Sequence, residues 1–346
     1  MTKVEISMLA LLLTTSLALQ SCGGSQVPPP PPPPPPIFTV LYSFTGGADG
    51  ANPSTETMVR DAQGNLYGTT QLGGDLTCNV SLHYGCGTVF RLDTTGNLTP
   101  LHIFSGVSLD AGGSSGLALD PNGNLLGTAG DGFGNGLVFE VDKNGTYTVF
   151  YDFMGGLDGF LPTGHLFRDA AGYLYGATQE GGGSIDQCPY QQSCGTVYQL
   201  DPAGQHKVLY SFLDSAGGAN PNTVIGDGIG NLYGATWLGG QGCPQLAGCG
   251  TIFKLDASGK KTVLHYFTGG NDGSTPNGSL VLDSAGSLYG TTQAGGDLGC
   301  PYNGGAGCGV VFKLDPNGVE TVLHAFHGSS DGNVPVSVFL DAACMA

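Results

Sequence analysis

The sequence predicts an all-β fold, a β-propeller with five complete four-stranded blades and a composite, incomplete sixth. Three observations lead there. Glycine makes up 62 of the 346 residues, against a usual share of about 7%. All but five of the 27 acidic residues are Asp, a residue that bonds back to its own backbone in turns. Four short apolar segments recur in a fixed order, each bounded by Gly, Asp, Asn or Pro, which is the punctuation of strands.

The outermost strand of each blade is aromatic. It reads Val40-Leu-Tyr-Ser-Phe44, Pro100-Leu-His-Ile-Phe104, Val149-Phe-Tyr-Asp-Phe153, Val208-Leu-Tyr-Ser-Phe212, Val263-Leu-His-Tyr-Phe267 and Val322-Leu-His-Ala-Phe326, with the closing Phe recurring every 49 to 60 residues. The innermost strand is a shorter run ending in Asp: 57–61, 116–120, 165–169, 223–227, 279–283 and 336–341. The second strand follows Gly64, Gly123, Gly172, Gly230 and Gly286, and the third follows Gly87, Gly136, Gly195, Gly250 and Gly309. Asp120-Pro-Asn-Gly-Asn124 and Asp142-Lys-Asn-Gly145 carry the turn chemistry of tight hairpins. A repeated four-stranded unit is a propeller blade, and this one is longer than the 20–45 residues of solenoid repeats. The first aromatic segment and the last Asp-ending segment are left over, so the two chain ends are expected to share the sixth blade. The last segment stops at Asp341-Ala-Ala-Cys-Met-Ala346 where other copies continue into Gly-Asn-Leu-Tyr, which reads as a shortened frame.

Composition excludes other classes. A helical bundle needs abundant Glu and Lys. A nucleic-acid binder needs a basic face, and ten Lys and Arg against 27 acids give a net charge of −17. With 40% hydrophobic residues the chain is not disordered throughout, and its glycines lack the three-residue period of collagen.

The chain divides into 1–21, 22–37 and 38–346. The apolar stretch from Ile6 to Leu19 is too short to span a bilayer and suits the core of a secretory signal. It ends in Leu19-Gln20-Ser21-Cys22, which resembles a bacterial lipobox although Gln20 departs from it. That resemblance implies an acylated Cys22 and a membrane partner reached through lipid, and Gly23 after it implies the outer membrane. Nine prolines, residues 28–36, form a polyproline rod of about 28 Å, a spacer between lipid and domain. Residues 38–346 are the repeat domain.

Gly64-Asn-Leu-Tyr-Gly-Thr-Thr70, then Gly73-Gly74, then Gly87-Thr-Val-Phe-Arg-Leu92, then Leu101-x-x-Phe104 resembles the GloVer tandem repeat of exported, choice-of-anchor bacterial proteins. The likeness runs over residues 38–341 in five copies. Blade two departs from it, with Leu126 for Tyr and a shortened loop. The resemblance implies export and a propeller-like fold, and no activity.

Eight of the ten cysteines form close pairs in the loop between second and third strands: Cys78 with Cys86, Cys188 with Cys194, Cys243 with Cys249, and Cys300 with Cys308. The shortened loop of blade two lacks both members. Zinc would need two pairs at one site, and a redox pair would be closer to C-x-x-C. Disulfides in an oxidising compartment fit best. Cys344 is left unpaired.

The candidate chemistry is sparse. His102, His265 and His324 share one strand position with Tyr42, Tyr151 and Tyr210. Outer strands diverge, so these histidines are not expected to meet on one ion, and packing between blades is their expected role. Asp49, Asp158, Asp272 and Asp331 precede Gly in the blade-to-blade loops. They are either turn residues or a carboxylate ring at one end of the channel, of the kind that suits Ca²⁺. Turn chemistry is the stronger reading, and no metal or cofactor is expected. Catalytic motifs are missing. Polar departures on the inner strands are limited to His165, Arg168 and Arg60. Two functions remain: a non-enzymatic binding propeller with an undefined ligand, which the uniform inner strands favour, and a hydrolase or lyase acting on glycans or lactones at the channel mouth.

Overall fold

The computed structural model describes residues 40–338 apart from 55–57, 79–84, 108, 111, 113–115, 131–132, 184–193, 214, 244–247, 301–305 and 329–330. Cys22, the proline spacer, Cys188, Asp341 and Cys344 lie outside the described residues. Within them are five separate antiparallel sheets, one per blade, forming a β-propeller.

Blade one has an interrupted inner strand, β1 (Ala51–Pro53) and β2 (Val59–Arg60), then β3 (Leu66–Leu72), β4 (Thr88–Leu92) and β5 (Leu98–Ile103). Blade two comprises β6 (Leu117–Leu119), β7 (Leu125–Ala129), β8 (Leu137–Val141) and β9 (Tyr147–Asp152). Blade three comprises β10 (Phe160–Arg168), β11 (Leu174–Glu180), β12 (Thr196–Leu200) and β13 (His206–Ser211). Blade four comprises β14 (Ala219–Gly226), β15 (Leu232–Leu238), β16 (Thr251–Leu255) and β17 (Lys261–Tyr266). Blade five has a divided inner strand, β18 (Ser274–Pro276) and β19 (Val281–Leu282), then β20 (Leu288–Ala294), β21 (Val310–Leu314) and β22 (Glu320–Ala325).

Aspartate sets the hairpins. Ten tight turns join first to second and third to fourth strands, and each begins with Asp. In each, one carboxylate oxygen accepts from the backbone N–H two and four residues on, as Asp61 does from Gln63 and Asn65, and Asp93 from Thr95 and Asn97. This local bonding offers the backbone a turn in place of a continued strand, and it accounts for the Asp-rich composition. In blades one, three and five the second-strand Tyr hydroxyl donates to the same Asp, at Tyr67, Tyr175 and Tyr289. Leu126 cannot.

A β-bulge recurs between third and fourth strands in all five blades, beside Val89/Phe90, Val138/Phe139, Val197/Tyr198, Ile252/Phe253 and Val311/Phe312. The extra residue, Leu101 in blade one, sends its carbonyl toward the next blade, where a β-carbon at turn residue Gly145 would stand 3.0 Å from it. The closing Phe then packs edge-on against the third-strand ring of the following blade. Phe104 meets Phe139 at 5.7 Å, Phe153 meets Tyr198 at 5.1 Å, Phe212 meets Phe253 at 5.4 Å, and Phe267 meets Phe312 at 5.3 Å. Such edge-to-face pairs contribute about 0.5–1.5 kcal/mol beyond area burial. The core is therefore a series of blade-to-blade seams.

The end segments follow the same rules. Phe44 packs edge-on against Phe90 at 5.2 Å, as the other closing Phe residues do. Pro335 approaches Gly309 as Pro276 approaches Gly250. Residues 40–44 and 333–338 thus repeat, against blades one and five, the contacts that outermost and innermost segments make elsewhere, although neither is hydrogen-bonded into a sheet.

Candidate functional site

The polar groups of this propeller gather at the seams. Each seam brings together three positions: the Tyr or His two residues before the closing Phe, the Asp of the following loop, and the first residue of the next blade's outer strand. The sequence reading singled out the first two separately and missed the third. That third position lies six residues before the closing Phe and holds Leu98, Tyr147, His206, Lys261 and Glu320 in turn. Aligning the repeats finds the position, but its variability gives no hint that it meets a loop 37 to 48 residues earlier.

Between blades one and two, His102 Nε2 lies 2.7 Å from Asp110 Oδ1, and Tyr147 stacks on the imidazole at 4.2 Å. The Ser105 N–H donates to the other Asp110 oxygen at 3.1 Å. Burial works against the Asp110 charge, but these hydrogen bonds outweigh it and hold the carboxyl below its ordinary value. The Tyr147 hydroxyl, pushed up by burial and by Asp110, donates to the Leu109 carbonyl at 2.8 Å.

Between blades two and three, Asp158 accepts from the Tyr151 hydroxyl and from the Met154 N–H, both at 2.8 Å. His206 Nδ1 lies 2.9 Å from it and the ring stacks on Tyr151. Burial keeps the His206 imidazole below its ordinary value despite Asp158. Between blades three and four the loop carries no Asp at this position, and a cation takes the seam. Lys261 Nζ donates to the Gly217 carbonyl at 2.6 Å and lies 4.5 Å over the Phe212 ring.

The fourth seam is different in charge. Asp272 accepts from the Thr268 N–H at 2.8 Å and from the Thr268 hydroxyl at 2.6 Å. His265 Nε2 stands 3.6 Å from Asp272 Oδ2, beyond hydrogen-bond reach. The incoming residue is Glu320, a second carboxylate. Burial pushes its carboxyl up to about 7, with Asp272 adding to that and His265 opposing it. Beyond blade five, His324 and His327 lie 3.3 and 3.2 Å from Asp331, all substantially exposed.

The loop carboxylates do not face a common channel mouth. Asp49, Asp158, Asp272 and Asp331 are each tied to their own blade's outer strand or the loop after it. The carboxylate-ring alternative is therefore corrected to turn and seam chemistry. The glycine after each has its own reason. Gly273 has φ +91°, and a β-carbon there would run into the buried Thr292 hydroxyl. His102, His265 and His324 occupy three different sheets and each turns to its own Asp.

Arg60 and Arg168 fold over their own hairpins, where β-carbons at Gly64 and Gly172 would stand 3.2 and 3.0 Å from their guanidinium nitrogens. His165 lies on β10, the inner strand of blade three. Its Nδ1 is enclosed without a hydrogen-bond partner, and burial pushes the imidazole down to about 4. A cleft of about 230 Å³ opens between blades one and two, lined by Asp61, Tyr67, Arg91, Asp142 and Lys143 among others.

Three cysteine pairs are disulfides in the structure, Cys78–Cys86, Cys243–Cys249 and Cys300–Cys308, with Cα atoms 5.9, 5.6 and 5.8 Å apart. Beyond closing their loops they contribute to the seams. Cys78 and Cys86 pack with Phe104, Leu117 and Phe139 across the first one. Disulfides place the chain in an oxidising, extracytoplasmic compartment. Among the described residues no helix is long and apolar enough to cross a membrane.

The repeated blade and its seam triads define the class: an exported tandem-repeat β-propeller. Residues 33–188 and 189–345 match the model of the Gloeobacter/Verrucomicrobia repeat in two tandem copies, and the chain belongs to that family. No curated protein matches it in sequence. Solved structures similar to it include a gluconolactonase from Xanthomonas campestris, 19% identical with a TM-score of 0.48 over 82% of this chain and 78% of that one. A streptogramin B lyase is 12% identical with a TM-score of 0.42 over 82% and 86%. The extracellular domain of a hybrid two-component system from B. thetaiotaomicron is 12% identical, with a TM-score of 0.49 over 83% of this chain and 31% of that one.

Proposed function

We propose that this protein is a lipid-tethered, extracytoplasmic propeller that binds a partner and performs no catalysis. The observation that supports it is repetition of the polar chemistry. A catalytic centre sets unlike groups against one substrate atom. Here a strand ring, a loop group and an incoming residue recur at one place seam after seam, and at the first three seams they engage one another. The inner strands of blades two and five carry short apolar runs, Leu117–Leu119 and Val281–Leu282. The anchor rests on Cys22 in its lipobox-like setting, followed by the proline rod. Acylation of Cys22 with several chains holds the protein at the outer membrane, because one chain alone gives only marginal binding. The net charge of −17 directs the binding face toward cationic or neutral partners and away from polyanions.

Two measurements test this. Replacing Cys22 by Ser moves the protein from the detergent phase to the aqueous phase in phase separation, and unchanged partition would remove the anchor. Panels of glycans and lactones give no turnover. Activity abolished by a single substitution such as His165→Ala would establish the enzymatic reading instead.

A further inference from the structure

We propose that His265, Asp272 and Glu320 form a binding site for a divalent transition-metal ion, of which Zn²⁺ is the representative, at the seam between blades four and five. The site goes beyond the binding role proposed above and does not depend on it.

The geometry comes first. One ligand atom from each of the three side chains lies within 4.8 Å of the other two. The His265 Nε2 to Asp272 Oδ2 distance is 3.6 Å. Two ligands bound to zinc at about 2.0–2.2 Å in a tetrahedral arrangement stand about 3.4 Å apart. The imidazole and carboxylate therefore already have the separation of neighbouring ligands, and it is too long for a bond to each other.

Hydrogen bonding is incomplete in a way that suits a cation. His265 Nε2 and Glu320 Oε1 are both enclosed and without hydrogen-bond partners. Buried polar atoms are nearly always satisfied, and an orphan calls for a missing partner. Two orphans of one seam, both lone-pair donors when the imidazole is neutral at Nε2, face the same space. Asp272 is fixed by the Thr268 N–H and hydroxyl, the kind of support that orients a ligating carboxylate. The His265 ring is held edge-on to Phe267 at 4.7 Å.

Comparison with the sister seams supplies the third argument. The other incoming residues match their loops in charge. Tyr147 is neutral beside His102 and Asp110, His206 turns its Nδ1–H to Asp158, and Lys261 brings its charge where Asp is replaced by Gly217. Glu320 alone adds a carboxylate to a seam that already holds one. Among the described residues, no Lys or Arg forms an ion pair with Asp272 or Glu320. A second carboxylate set beside Asp272 with no cation near is a costly arrangement, and a dication balances the pair.

The donor set selects the ion. One nitrogen and two carboxylate oxygens suit Zn²⁺ and its neighbours, whereas Ca²⁺ takes six to eight oxygens. The side chains of His265 and Asp272 keep 17% and 16% of their surface exposed, which gives the ion an entry path and leaves room for water or a ligand atom in a fourth position.

The test uses the full chain, stripped with chelator and titrated with ZnCl₂ by calorimetry and equilibrium dialysis. Wild type takes up zinc with a rise in Tm, because an ion that binds only the folded state stabilises it. Glu320→Gln and His265→Tyr each weaken this uptake at least tenfold. His265→Tyr installs the residue that Tyr42, Tyr151 and Tyr210 already place at the same position, and circular dichroism checks that both variants fold. If Glu320→Gln is poorly folded, Glu320→Tyr reproduces the residue of the first seam and is used instead. His324→Tyr, at the exposed cluster beyond blade five, leaves the uptake unchanged. The proposal is overturned if folded wild type takes up no zinc, if the seam variants bind it as wild type does, or if His324→Tyr alone abolishes uptake.

Discussion

His165 interrupts the apolar inner strand of blade three, and its isolation makes it readable in solution. The imidazole is pushed from its ordinary value down to about 4 by burial alone, with no charged partner contributing. The unfolded chain therefore binds a proton between about pH 6.5 and 4 that the folded chain refuses. The stability tied to this residue is complete above pH 6.5 and is lost as the pH falls toward 4. His165→Phe, which fills the site without a titrating group, should flatten the Tm profile in that window relative to wild type. Parallel profiles for the two proteins would show that His165 is not enclosed. The seam residues make the complementary point. A Tyr, His, Lys or Glu at one repeat position is tolerated because each finds a different way to occupy the space over the preceding blade's ring and loop.

The hairpin turn, the bulged outer strand and the disulfide-closed loop are the elements that make a blade. The turn is autonomous, since its backbone bonds run between Asp and the residues two to four positions on. The bulge is not, because it serves the next blade by turning a carbonyl toward that blade's turn glycine. The loop disulfides sit between these cases. Cys243–Cys249 closes a short loop and its Cys249 side is fully buried in the fourth seam with Phe267 and Phe312. Replacing both cysteines by Ser should cost about 2–3 kcal/mol, part of it from packing polar hydroxyls among apolar rings. Denaturant unfolding of the double variant measures that loss. Wild type in reductant should show a comparable one, and blade two indicates that a blade with a short loop folds without the bond. Peptide mapping under non-reducing conditions should recover Cys78 with Cys86 and Cys300 with Cys308 as local links, and the same map reports on Cys188 with Cys194.

At the scale of the molecule, charge and repetition act together. Twelve aspartates have carboxyls held below their ordinary value by turn and loop groups and by neighbouring His and Tyr side chains: Asp49, Asp61, Asp75, Asp93, Asp110, Asp142, Asp227, Asp256, Asp272, Asp283, Asp315 and Asp331. Asp93 is drawn down to about 2, first by the Thr95 hydroxyl and then by the Asn97 N–H. A carboxylate lowered on folding contributes stability above its unfolded value near 3.9, and loses it as the pH falls toward the folded one. Glu140, Glu180 and Glu320 are raised and work the other way, as does relief of the overall negative charge, but the lowered groups outnumber them. Tm should therefore drop steeply between pH 4 and pH 2.5, measured by circular dichroism. A flat or rising profile would show that the turn bonds do not persist in solution.

The amino-acid sequence by itself determined the blade. Strand length, turn chemistry and the order of the four segments are local, written in Gly, Asp and alternating apolar residues within a few positions of one another, so they could be read directly. The cysteine pairs were legible for the same reason, being six to eight residues apart and missing together from blade two. The seams were not. His265, Asp272 and Glu320 come from the outer strand of one blade, the loop that follows it and the first outer-strand residue of the next. No spacing rule relates the last to the others, because their meeting depends on how one twisted sheet is rotated onto its neighbour. The same rotation sent the loop aspartates to outer-strand rings and away from a shared channel mouth. Side chains within a sheet answer to a period of two along the strand. Contacts between sheets answer to packing, which only the assembled propeller decides.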